Sequence, residues 1–196
     1  MDSTRIGGAS VTTAHYARFS ASLVAGFFAS LLGGAVMAVV MVVAFMAVEH
    51  TSFWYALRPI GSYLFGDRML VAPTPAMYVA ATAFHFGICV VWGIVFAFAA
   101  TLIRVDKSLG GALALGVVVG LASQIVDVNL VTPALMNQLW GQNLWAATVP
   151  PLFSWLGHLF FGLSLVVAPL IFRKLWLRWS GRGDLLADDP RMRELS

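Results

Sequence analysis

His85 and His158 stand inside hydrophobic runs long enough, and bare enough of charge, to cross a membrane. An ionisable ring in hydrocarbon is expensive, so such a residue faces a bundle interior, a partner or a ligand and marks a site by default. Two imidazoles on facing helices suit axial ligation of a haem b, and imidazole with carboxylate suits zinc, iron or copper. The same residue types also build intramembrane proton relays, or tie helices together through hydrogen bonds worth around 0.6 kcal/mol each in a membrane. The candidate metal or haem ligands are His85, His158, Glu49, His50 and Asp127, with Ser123, Gln124, Asn129 and Cys89 placed to support them. Cys89, the single cysteine, follows His85 by four residues and shares its helical face. Met37 and Met41 are thioethers that could join a ligand set, although methionines deep in a span are usually gap fillers.

These residues need a scaffold, and composition names its class. Apolar residues make up 60% of the chain and charged residues 11%, with a mean hydropathy of +0.85, which a soluble domain of 196 residues does not show. The chain reads as an all-α integral membrane protein. Charge-free intervals mark the spans, since about 20 apolar residues cross a hydrocarbon core of about 30 Å. They predict helices over Ser22 to Val48, Ala76 to Ile103, Leu109 to Val126 and Leu152 to Phe172, a four-helix transmembrane bundle within residues 21–173. Thr74 is placed to cap the second, with Pro75 in its first turn.

With four spans, one side of the membrane holds Arg5, Arg18, Arg104, Lys107, Arg173, Lys174, Arg178, Arg182, Arg191 and Arg193. The other holds Arg58 and Arg68, so ten of the twelve basic residues lie together and both termini are expected in the cytoplasm. The net charge of +3 is then mostly topology marking, and no nucleic-acid partner is expected. The apolar run after Arg18 is about twice a signal-peptide core and lacks a small-x-small cleavage site, which makes it a retained helix. Residues 1–20 read as a loosely ordered cytoplasmic arm and 174–196 as a polar cytoplasmic tail.

The assigned orientation brings the polar residues to one level. His85 and His158 lie on parallel helices, about 9 and 6 residues below the outer surface, which at about 1.5 Å per residue is roughly 14 and 9 Å. The first helix ends at Glu49 and His50, and the third at Ser123, Gln124, Asp127 and Asn129, with Ser123 and Asp127 on one face. Both acids are expected at helix C-termini, where the macrodipole disfavours negative charge, so each should be paired, metal-bound or protonated. Histidine is the nearest cationic partner, with Arg58 and Arg68 as competitors. Close helix contacts are expected at Gly26, Ser30 and Gly34 and at Ala112, Gly116 and Gly120. The outer loops, residues 50–73 and 130–149, are rich in aromatic residues and should lie at the interface as anchors, as a lid over the site, or as a docking surface for membrane-protein partners.

No phosphate loop, Cys-x-x-Cys, His-Glu-x-x-His or Gly-x-Ser-x-Gly occurs, and no catalytic set is assigned. The run His85-Phe86-Gly87 through Trp92-Gly93-Ile94-Val95-Phe96, the glycine-rich third helix, and Trp155-Leu156-Gly157-His158 resemble the YagU-like family of small bacterial inner-membrane proteins. The resemblance covers roughly residues 76 to 172 and implies a four-helix inner-membrane protein of a bacterium with paired histidines, in a family without an assigned activity. The expectation is an accessory or structural subunit of a membrane complex with a His/carboxylate cluster in its periplasmic half. A haem- or metal-binding electron-transfer component is the alternative, and a proton or small-solute pathway the second.

Overall fold

A computed structural model describes residues 8–103 and 108–179, with side chains over 19–103 and 108–175, and every regular element among them is helical. Four segments are long and apolar enough to cross a membrane: Phe19–Val48, Pro75–Leu102, Leu109–Trp140 and Pro151–Leu175. The first lies in α1 (Gly8–Val48), and the connection after it folds as a 3-10 turn (Phe53–Leu57), α2 (Arg58–Phe65) and α3 (Asp67–Val71). The second is α4 (Pro75–Leu102). The third is α5 (Leu109–Ser123), a π-helical stretch (Gln124–Val131) and α6 (Thr132–Trp140) in unbroken succession. After the single turn of α7 (Leu144–Thr148), α8 (Pro151–Ser164) and α9 (Val167–Trp179) form the fourth.

The third segment departs most from the sequence expectation, running to Trp140 rather than ending at Val126. Asp127 looks like a span boundary because it is charged, but a neighbouring helix supplies its hydrogen-bond donor and the helix continues through it. Asp127 therefore does not sit at a helix C-terminus, and the dipole penalty expected there falls away. Pro133 explains the widened turn before α6. Its ring crowds the carbonyl four residues back and it has no N–H, so the ladder shifts register and the Thr132 N–H reaches back to Asp127 O. Pro169 breaks the fourth segment in the same way: without its donor, Leu165 O accepts from Ala168 N at 2.8 Å and the chain tightens between α8 and α9.

Two smaller differences concern ends. Thr74 occupies the N-cap of α4, yet its side chain makes no capping bond. The arm expected to be loose is helical from Gly8, since no proline interrupts Gly8 to Arg18. Residues 1–7, 104–107 and 180–196, including much of the expected cytoplasmic tail, lie outside the described residues.

α1 packs along α4 on one side and along α8 and α9 on the other, while α5 packs on α8 and touches α4, closing a ring in the order α1, α4, α5, α8. Two crossings hold it. At the first, a Cβ placed on Gly26 would stand 2.7 Å from Gly93 O, so the α1 and α4 backbones touch. At the second, Gly162 of α8 lies against Gly116 and Gly120 of α5, with Gly120 Cα 2.9 Å from where a Gly162 Cβ would be. Such small-residue contacts replace the hydrophobic drive that lipid cannot provide. Beyond them, towards the chain termini, Phe96, Leu165 and Ala168 are buried inside the bundle.

Gly162→Ala should push α8 off α5 and cost about 1–3 kcal/mol, read as a lowered unfolding midpoint in detergent. Gly87→Ala, where no atom lies within 4 Å, should instead be neutral or stabilise by about 0.5–1 kcal/mol. Equal responses would show that the helices do not cross at these glycines.

Candidate functional site

On the other side of the glycine crossings, at the end carrying α2 and α7, the bundle encloses a cavity of about 80 Å³. All four long segments line it: Met37 and Met41 from α1, His85, Cys89 and Trp92 from α4, Ser123 and Asp127 from the third segment, His158 and Phe161 from α8. Ile60 and Tyr63 of α2 and Trp145 of α7 close it from above. The connections thus act partly as a lid, with Tyr63, Trp145, Met136 and Phe153 packed together in one apolar cluster.

Hydrogen bonds to carbonyls fix both imidazoles. His85 Nε2 lies 3.0 Å from Gly34 O on α1, and His158 Nδ1 lies 2.9 Å from Ser154 O one turn back on α8. A carbonyl only accepts, so in the neutral ring His85 carries its proton on Nε2 and His158 on Nδ1. The opposite nitrogens, His85 Nδ1 and His158 Nε2, keep their lone pairs and have no hydrogen-bond partner among the described residues. Cys89 Sγ lies 3.8 Å from His85 Nε2, sharing that N–H weakly.

Asp127 is half-buried, and the Trp92 indole N–H donates to its Oδ2 at 2.7 Å, joining α4 to the third segment. Its backbone carbonyl receives the Thr132 hydroxyl at 2.5 Å, and since that hydroxyl is used as a donor, Tyr63 must donate its own hydroxyl to Thr132. Lid, π-helical turn and acid therefore form one chain of bonds. A second network runs beside it: Ser154 Oγ donates to Gln124 Oε1 at 2.7 Å, and Gln124 Nε2 donates to Asn129 Oδ1 at 3.2 Å. Ser123 turns back to Gly120 O at 2.8 Å. Arg58 bonds Leu70 O at 2.8 Å and Tyr78 Oη at 3.3 Å, pinning the lid to α4 rather than pairing with an acid.

His85, His158, Asp127, Cys89 and Ser123 are thus brought together, whereas Glu49 and His50 are not. Both are exposed just past α1, where His50 takes a left-handed turn (φ 52°) and Thr51 N and Oγ1 return to Phe45 O at 3.3 and 3.2 Å. They terminate a helix instead of facing the cavity. Among the described residues no three of His, Cys, Asp and Glu are grouped as a metal centre. The cavity as it stands has room for a few water molecules. Trp92, Tyr63, Thr132 and Ser154 are the functional neighbours that spacing did not flag.

What remains at the cavity wall is mainly acceptor capacity: two imidazole lone pairs and the second oxygen of Asp127, with the Trp145 indole N–H as an unpaired donor among the described residues. A wall of that kind suits a cation or a hydrogen-bond donor of a few atoms. No family model, curated protein or solved structure matches the chain. The likeness to YagU-like proteins therefore rests on the short motifs around His85, Trp92 and His158.

Nitrogen-15 spectra of histidine-labelled protein should show opposite tautomers, Nε2–H for His85 and Nδ1–H for His158. Two rings of one tautomer would contradict the carbonyl bonds. The lid has its own signature. Burial pushes the Tyr63 phenol up from 10.0 to about 12, with Asp127 acting in the same sense and the Thr132 bond partly opposing. A raised folded pKa means that the neutral phenol holds the lid. Its contribution is complete below pH 10 and is lost as pH rises through about 12. Absorbance at 295 nm should show a late-titrating tyrosine among the four, and Tyr63→Phe should remove it.

Proposed function

We propose that this chain is a polytopic protein of the bacterial inner membrane, with both termini in the cytoplasm, that binds a small cationic or hydrogen-bond-donating ligand from the periplasmic side. The orientation is supported by the basic residues, ten of which fall on one side. Of the described ones, Arg173 and Lys174 are exposed at the end where the termini lie, opposite Arg58 and Arg68 on the lid.

The observation that carries the reading is a largely apolar cavity with the unpaired acceptors of His85, His158 and Asp127 among its lining residues. Conduction would need a polar route through the rest of the bundle, and there the buried Phe96, Leu165 and Ala168 and the glycine backbone contacts stand in the way. Binding under a lid is what the geometry favours over a through-going pathway. The accessory-subunit reading draws on the outer aromatics, which divide. Phe53 and Trp54 stay exposed, but Tyr63 and Trp145 turn inward over the cavity, and the inward pair supports a ligand.

Cys89 reports on the site, being the single cysteine and part of its wall. In sealed vesicles, aminoethyl methanethiosulfonate applied from the lid side should modify Cys89 at least ten times faster than its anionic sulfonatoethyl analogue. Asp127→Asn should shrink that ratio. No modification of the folded protein, or equal rates for the two reagents, would overturn a cation-accepting cavity.

A further inference from the structure

We infer that the cavity holds a soft monovalent metal ion, copper(I) by chemistry, through the thioethers of Met37 and Met41, the sulfur of Cys89 and Nε2 of His158. The inference rests on the binding-cavity reading and gives that ligand a class. Three of the four long segments contribute to the set, and glycines make the room. Gly157 has no side chain where the α1 methionines lie: a Cβ there would meet Met41 Sδ at 3.3 Å and Met37 Cγ at 3.4 Å, beside the His158 backbone. Gly34 does the same for α4, since a Cβ there would meet Cys89 Sγ at 3.1 Å. Met37 and Cys89 belong to one buried cluster and Met41 to another, and all three line the cavity.

His158 is the observation that points to a ligand. It is 6% exposed, its ring is anchored by the Nδ1–H bond to Ser154 O, and Nε2 is left without a partner among the described residues while the residue lines the cavity. An imidazole held by one nitrogen with the other free is how metal-binding histidines are oriented. Ligand softness then selects the metal. The hard and borderline donors do not assemble into a centre for zinc or iron among the described residues, whereas thioether, thiol and imidazole are the set that favours copper(I). Charge balances too. Binding a +1 ion with loss of the Cys89 proton to solvent leaves the metal–thiolate unit neutral, which suits a wall of Met, Phe and Ile. Asp127, on the same wall, supplies the negative charge that draws the cation in.

Silver(I), a redox-inert ion of the same charge and softness, tests this on the full chain in lipid nanodiscs, alongside copper(I) delivered anaerobically as its bicinchoninate complex. One equivalent of silver should survive desalting, and the His158 Nε2 resonance of the unsubstituted protein should move on its addition. Cys89→Ser, and Met37→Leu with Met41→Leu, should each weaken retention at least tenfold, leucine keeping the packing volume of methionine. No retained silver, an unmoved His158 resonance, or retention that ignores these substitutions would overturn the inference. If Cys89 reacts with the aminoethyl reagent while silver and copper(I) fail to bind, the metal is wrong and the binding cavity stands. If Cys89 is also unreactive, both readings fall.

Discussion

The backbone contacts at Gly26 with Gly93, and at Gly116 and Gly120 with Gly162, are the constraint from which the other features follow. Each pins one pair of helices, and helices that touch at one level diverge away from it at their crossing angle. On the terminal side the gap is occupied by Phe96, Leu165 and Ala168. On the lid side every cavity residue lies beyond a crossing glycine: Cys89 precedes Gly93, His158 precedes Gly162, and Ser123 follows Gly120. The cavity is thus the wedge left open by two tight crossings, and α2 and α7 cover the wide end.

Much of this architecture is legible in the chain because composition and charge act locally. Four apolar intervals are visible without knowing what they touch, and so is the four-residue spacing of Gly26 and Ser30. What cannot be read is the partner of each feature. Nothing in the spacing tells Gly26 to meet Gly93, or Asp127 to meet Trp92 from another helix. A carboxylate without a visible partner reads as the end of a span, and that is how the third helix comes to look shorter than it is. Glu49 and His50 mislead for the opposite reason, since a chemically suggestive pair at a helix end can serve only to turn the chain.

The lid shows how far a single proline reaches. Pro133 removes one N–H and widens the helix before it, and the displaced carbonyl of Asp127 then accepts both the Thr132 N–H and the Thr132 hydroxyl. The Tyr63 hydroxyl completes the chain from the lid. The π-helical turn therefore sets the height of the acid side chain and also gives the lid its polar attachment. Irregular turns of this kind are common at functional sites because they change the register of the residues they carry without ending the helix.

Unpaired polar atoms give the last step. His85 Nδ1, His158 Nε2 and Asp127 Oδ1 lack protein partners among the described residues; His158 is buried, where an unsatisfied acceptor costs about 1–3 kcal/mol, and the other two are half-buried, where the cost is smaller. Apolar side chains of similar volume would pack the same wedge at lower cost, as they do on the other side of the crossings. The neighbouring polar groups show that the chain can satisfy such atoms when nothing else is to bind: Gln124, Ser154, Asn129, Thr132 and Tyr63 are all paired. The penalty is thus concentrated on the cavity wall, and an occupant that accepts these lone pairs recovers it on binding. That recovered energy is available only to a cation or a donor, which makes the unpaired wall a statement about the ligand as well as about stability.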